Sequence, residues 1–160
     1  MGAIATVLLV GTVAVVRPVP ALLVSSGTGG PQGVLWARPL RGPVEVRLQY
    51  VHSVERTPIL EVYVAEPGSL RFTRMEFVSQ GAGLPSSGYV REGGRFVLRD
   101  ERVLSTLPVR VSRLTMPRVV IGGREELDLV ALVGDGGTVT VSSGHRSRAA
   151  LWLRRLPAGR

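Results

Sequence analysis

The densest grouping of chemically capable side chains is Tyr50-Val51-His52-Ser53-Val54-Glu55-Arg56-Thr57-Pro58, with Glu61 and Tyr63 close behind. An imidazole flanked by carboxylates supplies the parts of a general base and the acid that orients it. The same residues supply the parts of a satisfied core histidine. His52 continues the apolar face of its strand, and buried polar groups normally sit in closed hydrogen-bond networks. The second reading carries more weight here, and the first stays open as an enzyme using His52 as base. His52, Glu55 and Glu61 offer nitrogen and oxygen ligands, but the only other histidine, His145, is remote in an Arg-rich stretch, so no metal is assigned. Ser53, His52 and Glu55 repeat the residue types of a hydrolytic triad. Neighbours on a strand face opposite sides, however, and no Gly-x-Ser-x-Gly elbow surrounds Ser53.

A second grouping runs from Ser79 to Gly88 as Ser-Gln-Gly-Ala-Gly-Leu-Pro-Ser-Ser-Gly. Gly81 and Gly83 flank Ala82, so the backbone is free to take positive φ and to turn amide N–H groups toward an anion. A phosphate loop leads into a helix, whereas Pro85 and the Ser/Gly run lead into more β pattern. A conformationally demanding loop is the better reading. The candidate ligand- or partner-binding residues are therefore His52, Ser53, Glu55, Thr57, Glu61, Tyr63, Gly81 and Gly83. No catalytic residue and no cofactor is assigned, and the chain is not expected to be an enzyme.

Strands must position these groups. Val44, Val46, Leu48 and Tyr50 alternate with polar residues, which predicts a half-buried strand whose even positions face inward. Leu60, Val62 and Val64 alternate in the same way against Glu61 and Tyr63. The phase of Arg71–Phe77 shifts at Arg74-Met75, where a β-bulge would bury both Phe72 and Phe77. Further strands are predicted over 95–99, 108–114, 118–121, 127–133, 138–142 and 149–153, with a short helix as the alternative around 143–155. Glycine pairs punctuate them. The pattern predicts an all-β fold, an antiparallel sandwich or small barrel of about eight to ten short strands, preceded by an N-terminal hydrophobic helix.

The first 24 residues are expected to target or anchor the chain. Gly2–Val16 carries no charged side chain, and Arg17-Pro18 interrupts the apolar character before Val19–Val24 resumes it. The first run suits the central region of a signal peptide, and the whole stretch could span as one helix with Arg17 snorkelling. Arg17 follows the run and no basic residue precedes it, which leaves the orientation open. Residues 25–33 read as a flexible tether and 34–160 as one all-β domain. The 20 basic residues are all arginine, set against 12 acidic ones, for a net charge of +8. They are scattered along the strands instead of clustering with aromatics, which disfavours nucleic acid and suits a membrane headgroup surface better. The absence of cysteine excludes disulfides, thiolate chemistry and Cys-type zinc sites.

The two polar segments together resemble a bacterial family of uncharacterised domains. Its signature pairs Tyr-x-His-Ser-Val-Glu-x-Thr-Pro with a later Gly-Ala-Gly-Leu-Pro loop. Tyr50, His52, Ser53, Val54, Glu55, Thr57 and Pro58 stand where the first motif has them, and Gly81–Pro85 match the second. A late run, Gly123–Leu129, is also similar. Members of that family are small exported proteins associated with TRAP-type permeases of the TAXI subclass. The resemblance implies a non-enzymatic accessory protein of a TRAP-type permease, exported and held at the outer face of the cytoplasmic membrane. The alternative expectation is a free-standing envelope module that binds a small carboxylate or ion.

Overall fold

The structure, a computed structural model, describes residues 17–27 and 33–153. Its centre is an antiparallel meander of β3 (Val44–Val51), β4 (Pro58–Glu66) and β5 (Ser69–Phe77), and the turn between β4 and β5 is closed by Gly68 at φ 87°. Outward from β5 lie β7 (Arg95–Leu104) and β6 (Tyr89–Glu92). Outward from β3 lie β9 (Arg118–Ile121) and β10 (Glu125–Asp128), completing a seven-stranded sheet of order β10-β9-β3-β4-β5-β7-β6. A four-stranded sheet of order β2-β1-β11-β8 faces it, built from β1 (Pro18–Ser26), β2 (Val34–Pro39), β8 (Thr106–Arg110) and β11 (Thr138–Ser147). One hydrophobic core joins the two sheets, through Leu22, Val24, Val139 and Val141 on one side and Val46, Phe72, Phe77 and Ile121 on the other. The fold is a sandwich of two antiparallel sheets with no closed barrel, and it has eleven strands among the described residues.

Three expectations shift. Val19–Val24, read as the end of the leader, belongs to β1, which lies between β2 and β11 and is paired with both. The reason is burial on both faces. Leu22 and Val24 enter the shared core, while Ala21 and Leu23 pack under Leu151. A strand dry on both sides loses its period-two signature and reads as an unbroken apolar run. The domain therefore begins by Pro18. The stretch read as a tether connects two paired strands, with Ser25 opposite Val34. The apolar run Gly2–Val16 and the helix expected there lie outside the described residues, and among those described no helix is long and apolar enough to cross a membrane.

The second shift concerns 127–133, expected as a strand. It divides into the end of β10 and a short helix α1 (Leu129–Val133). Asp128 caps that helix by accepting from the backbone N–H of Val130 at 2.9 Å and of Ala131 at 3.1 Å, and Gly134 ends it at φ 77°. The third concerns 149–153, which lies in the helix α2 (Arg148–Leu153), the alternative weighed for this region. The expected bulge is present, but it falls before Arg74 instead of at the Arg74-Met75 step. Pairing between β5 and β7 shifts between Phe72 and Arg74, Thr73 donates its hydroxyl to the Val62 carbonyl at 3.0 Å, and Phe72 and Phe77 are both buried.

Arginines on the outer surface are largely dispersed into single ion pairs, such as Arg38–Glu125, Arg47–Glu45, Arg99–Glu92 and Arg118–Glu126. Exposed pairs of this kind contribute about 0–1 kcal/mol each.

Candidate functional site

The two polar segments meet at one end of the sandwich. His52 leaves β3 buried, and both of its ring nitrogens are engaged. Nε2 donates to the Ala82 carbonyl at 3.0 Å, while Nδ1 accepts the backbone N–H of Glu55 at 3.0 Å and of Val54 at 3.3 Å. Two amide donors on Nδ1 fix the neutral Nε2–H tautomer. Around the ring the chain makes a tight turn. The His52 N–H bonds the Thr57 carbonyl at 2.9 Å, the Arg56 N–H bonds the His52 carbonyl at 3.0 Å, and Arg56 takes a left-handed φ of 56°. The imidazole is thus a strut that shapes its own turn and ties it to the next loop.

That loop is closed at its base and pressed against the turn. It leaves after Phe77 and returns at Tyr89, and these two rings touch edge-on at 5.5 Å with Phe96 against both. Thr57 and Ser79 share a hydroxyl hydrogen bond of 2.9 Å. Gly81 packs so closely that a Cβ there would lie 2.7 Å from the Glu55 Cγ and 3.0 Å from the His52 Cε1. Gly83 turns the chain at φ 86°, and the Leu84 N–H bonds the Gly81 carbonyl at 3.1 Å. His52, Thr57, Gly81 and Gly83 therefore serve one joint construction, with Ser53 and Glu55 exposed on its outer surface.

Glu61 and Tyr63 take a different place from the one their alternation predicts. The register sets Leu48 opposite Glu61 and Val46 opposite Tyr63, so the odd positions of β4 face the core side. The even positions lie on the opposite face, where Leu60 and Val64 are half-buried and Val62 is buried. The inward Glu61 is met by two phenols. Tyr50 donates to Oε1 at 2.7 Å and Tyr63 donates to Oε2 in a short hydrogen bond. Burial, reinforced by the adjacent Glu61 carboxylate, pushes both phenols well above their ordinary value. This trio lines a cleft of about 460 Å³ whose walls include Phe72, the Gly83–Pro85 end of the loop, and Arg102. Tyr50 and Glu61 also form the wall shared with a smaller cavity of about 260 Å³ toward β8. Among the described residues, no group of three His, Asp or Glu is spaced to hold a metal ion.

Tyr50 and Arg102 were outside the candidate set. Tyr50 had a signal, since it continues the inward even face of β3 next to His52. Arg102 had none, because only the bulged pairing of β5 with β7 sets it opposite Phe72.

The structure thus defines an all-β sandwich domain with a braced loop pair at one end and a tyrosine–carboxylate cleft beside it. Residues 46–129 match the model of the family described as a domain of unknown function (DUF1850), and the chain belongs to that family. The matched span runs from β3 to the first residue of α1, so it contains both loops and the cleft. No curated protein and no solved structure matches the chain.

Proposed function

We propose that this protein is a non-enzymatic accessory component of a TRAP-type solute transporter of the TAXI subclass, held at the outer face of the cytoplasmic membrane. The observation that carries the non-enzymatic part is the condition of His52. Each ring nitrogen is already committed to backbone, so the imidazole has no lone pair or proton at the surface to offer a substrate. The association with a permease rests on the resemblance of the two motif segments, which the fold brings into contact. Bracing from beneath leaves a preshaped rim of Ser53, Val54, Glu55, Ala82 and Gly83, with Val54 70% exposed at its tip. A rim ordered before binding loses little entropy on docking, which suits recognition of a partner.

The test is affinity capture of the full chain from its native membranes after mild crosslinking. Co-recovery of a permease is expected, with Val54→Asp reducing that recovery while leaving the circular dichroism spectrum unchanged. Capture that returns no permease would count decisively against the proposal.

A further inference from the structure

We infer that the cleft between the inner face of the seven-stranded sheet and the Gly83–Pro85 end of the loop is a binding site for a small zwitterion with an apolar side chain, of the α-amino acid class. The charges on its walls carry the argument. At the inner end the Glu61 carboxylate is held by the hydroxyls of Tyr50 and Tyr63, and each of those phenol oxygens keeps a free acceptor direction. A primary ammonium, with three N–H donors and a positive charge, satisfies that end. On another wall stands Arg102, whose guanidinium lies 5.0 Å from the Phe72 ring centroid and 2.8 Å from Asp100. The Arg102–Asp100 pair is exposed and runs through Nε, so the two terminal nitrogens of the guanidinium remain to take a carboxylate from the cleft.

Opposed charges decide the ligand class. A simple carboxylate would meet Arg102 but be repelled by Glu61, and a simple amine would meet Glu61 but be repelled by Arg102. Only a molecule with both groups finds a partner for each. The remaining walls, including Phe72, Met75, Leu84 and Leu98, are apolar and suit a hydrocarbon or thioether side chain. The volume of about 460 Å³ is in the range of small-molecule sites. Leu84 belongs to the braced loop, so the site is preformed on that side.

This inference does not depend on a permease, and its test uses none. The full chain in detergent is titrated calorimetrically with leucine, with 4-methylpentanoate, which lacks the amine, and with 3-methylbutylamine, which lacks the carboxylate. Saturable binding of leucine is expected, with each analogue weaker by at least about tenfold, as the loss of a charged hydrogen bond implies. Arg102→Ala should weaken leucine by a similar factor while leaving the amine's affinity equal or improved. Glu61→Gln should weaken leucine and improve the acid. This crossed pattern cannot come from misfolding, which would weaken every ligand together. Absence of saturable heat with leucine, methionine and phenylalanine overturns the inference. So do equal affinities for the three probes, or an Arg102→Ala variant indistinguishable from the parent. Permease capture stands or falls separately.

Discussion

Replacing His52 separates its two structural tasks. His52→Ala removes hydrogen bonds of 3.0 Å to Ala82 and 3.0 Å to Glu55, together with a longer one of 3.3 Å to Val54. At about 1 kcal/mol net for each short bond, with part of the ring's burial lost as well, the expected destabilisation is about 2–3 kcal/mol. For a chain of this length that lowers the thermal midpoint by about 5–10 °C. His52→Asn provides an internal control. Its amide oxygen takes the place of Nδ1 and keeps the amides of Val54 and Glu55, but the shorter side chain cannot reach Ala82. About 1 kcal/mol should be lost. Thermal unfolding followed by circular dichroism gives the order parent, Asn, Ala. Hydrogen exchange then locates the effect. Amides of the 79–88 loop should exchange faster in both variants, and those of Val54 and Glu55 only in His52→Ala. Equal stabilities for the two variants, or a loss below about 0.5 kcal/mol for His52→Ala, would refute the strut.

Gly81→Ala drives a methyl against Glu55 and His52; the exposed Glu55 side chain can swing away, whereas the ring is fixed, so about 1–2 kcal/mol should be lost. A double-mutant cycle with His52→Ala should show less than the sum, because the obstructing ring is then gone. Raised phenol values at Tyr50 and Tyr63 mean that the folded state holds those protons longer than the unfolded chain does. Their contribution is complete below the ordinary phenol value of 10.0 and declines as pH rises beyond it. A pH series of unfolding midpoints should therefore fall above that point, with a shallower fall in Tyr63→Phe. Asp128→Ala removes the cap of α1 and should lower stability by about 1 kcal/mol in urea denaturation.

How much was legible in the chain depended on how many faces of a strand were wet. β3 has one dry face and one wet face, and its alternation gave the correct inward set. A bulge in this strand was legible for the same reason, since Phe72 and Phe77 sit out of phase in a single run, although it falls at Thr73 and not at Arg74-Met75. β1 was illegible because both faces are covered, and β4 misled because its opposite face carries aliphatics while its inward face carries Glu61. An inward carboxylate makes sense only once two phenols meet it, and one of them arrives from the neighbouring strand. The joint around His52 had the same character. The motif residues were visible as a pair of unusual segments, but Ala82 contributes a backbone carbonyl, and no side-chain type could have announced that.

The central place of β1 also constrains the order of events in biosynthesis. Pro18 is registered against Ser147 and Ser26 against Val139, so the first of the described strands to be synthesised pairs with the last of them. β2 alone can join it early, giving a two-stranded hairpin that is marginal by itself. Throughout most of elongation Ala21–Val24 would present a bare apolar edge, a natural handle for a holding chaperone and a hazard without one. The seven-stranded sheet, assembled largely from neighbours in sequence, is free to form first. Closure of the smaller sheet is then the late, slow step, and a chain truncated before β11 should fail there and leave its amino-terminal strand exposed.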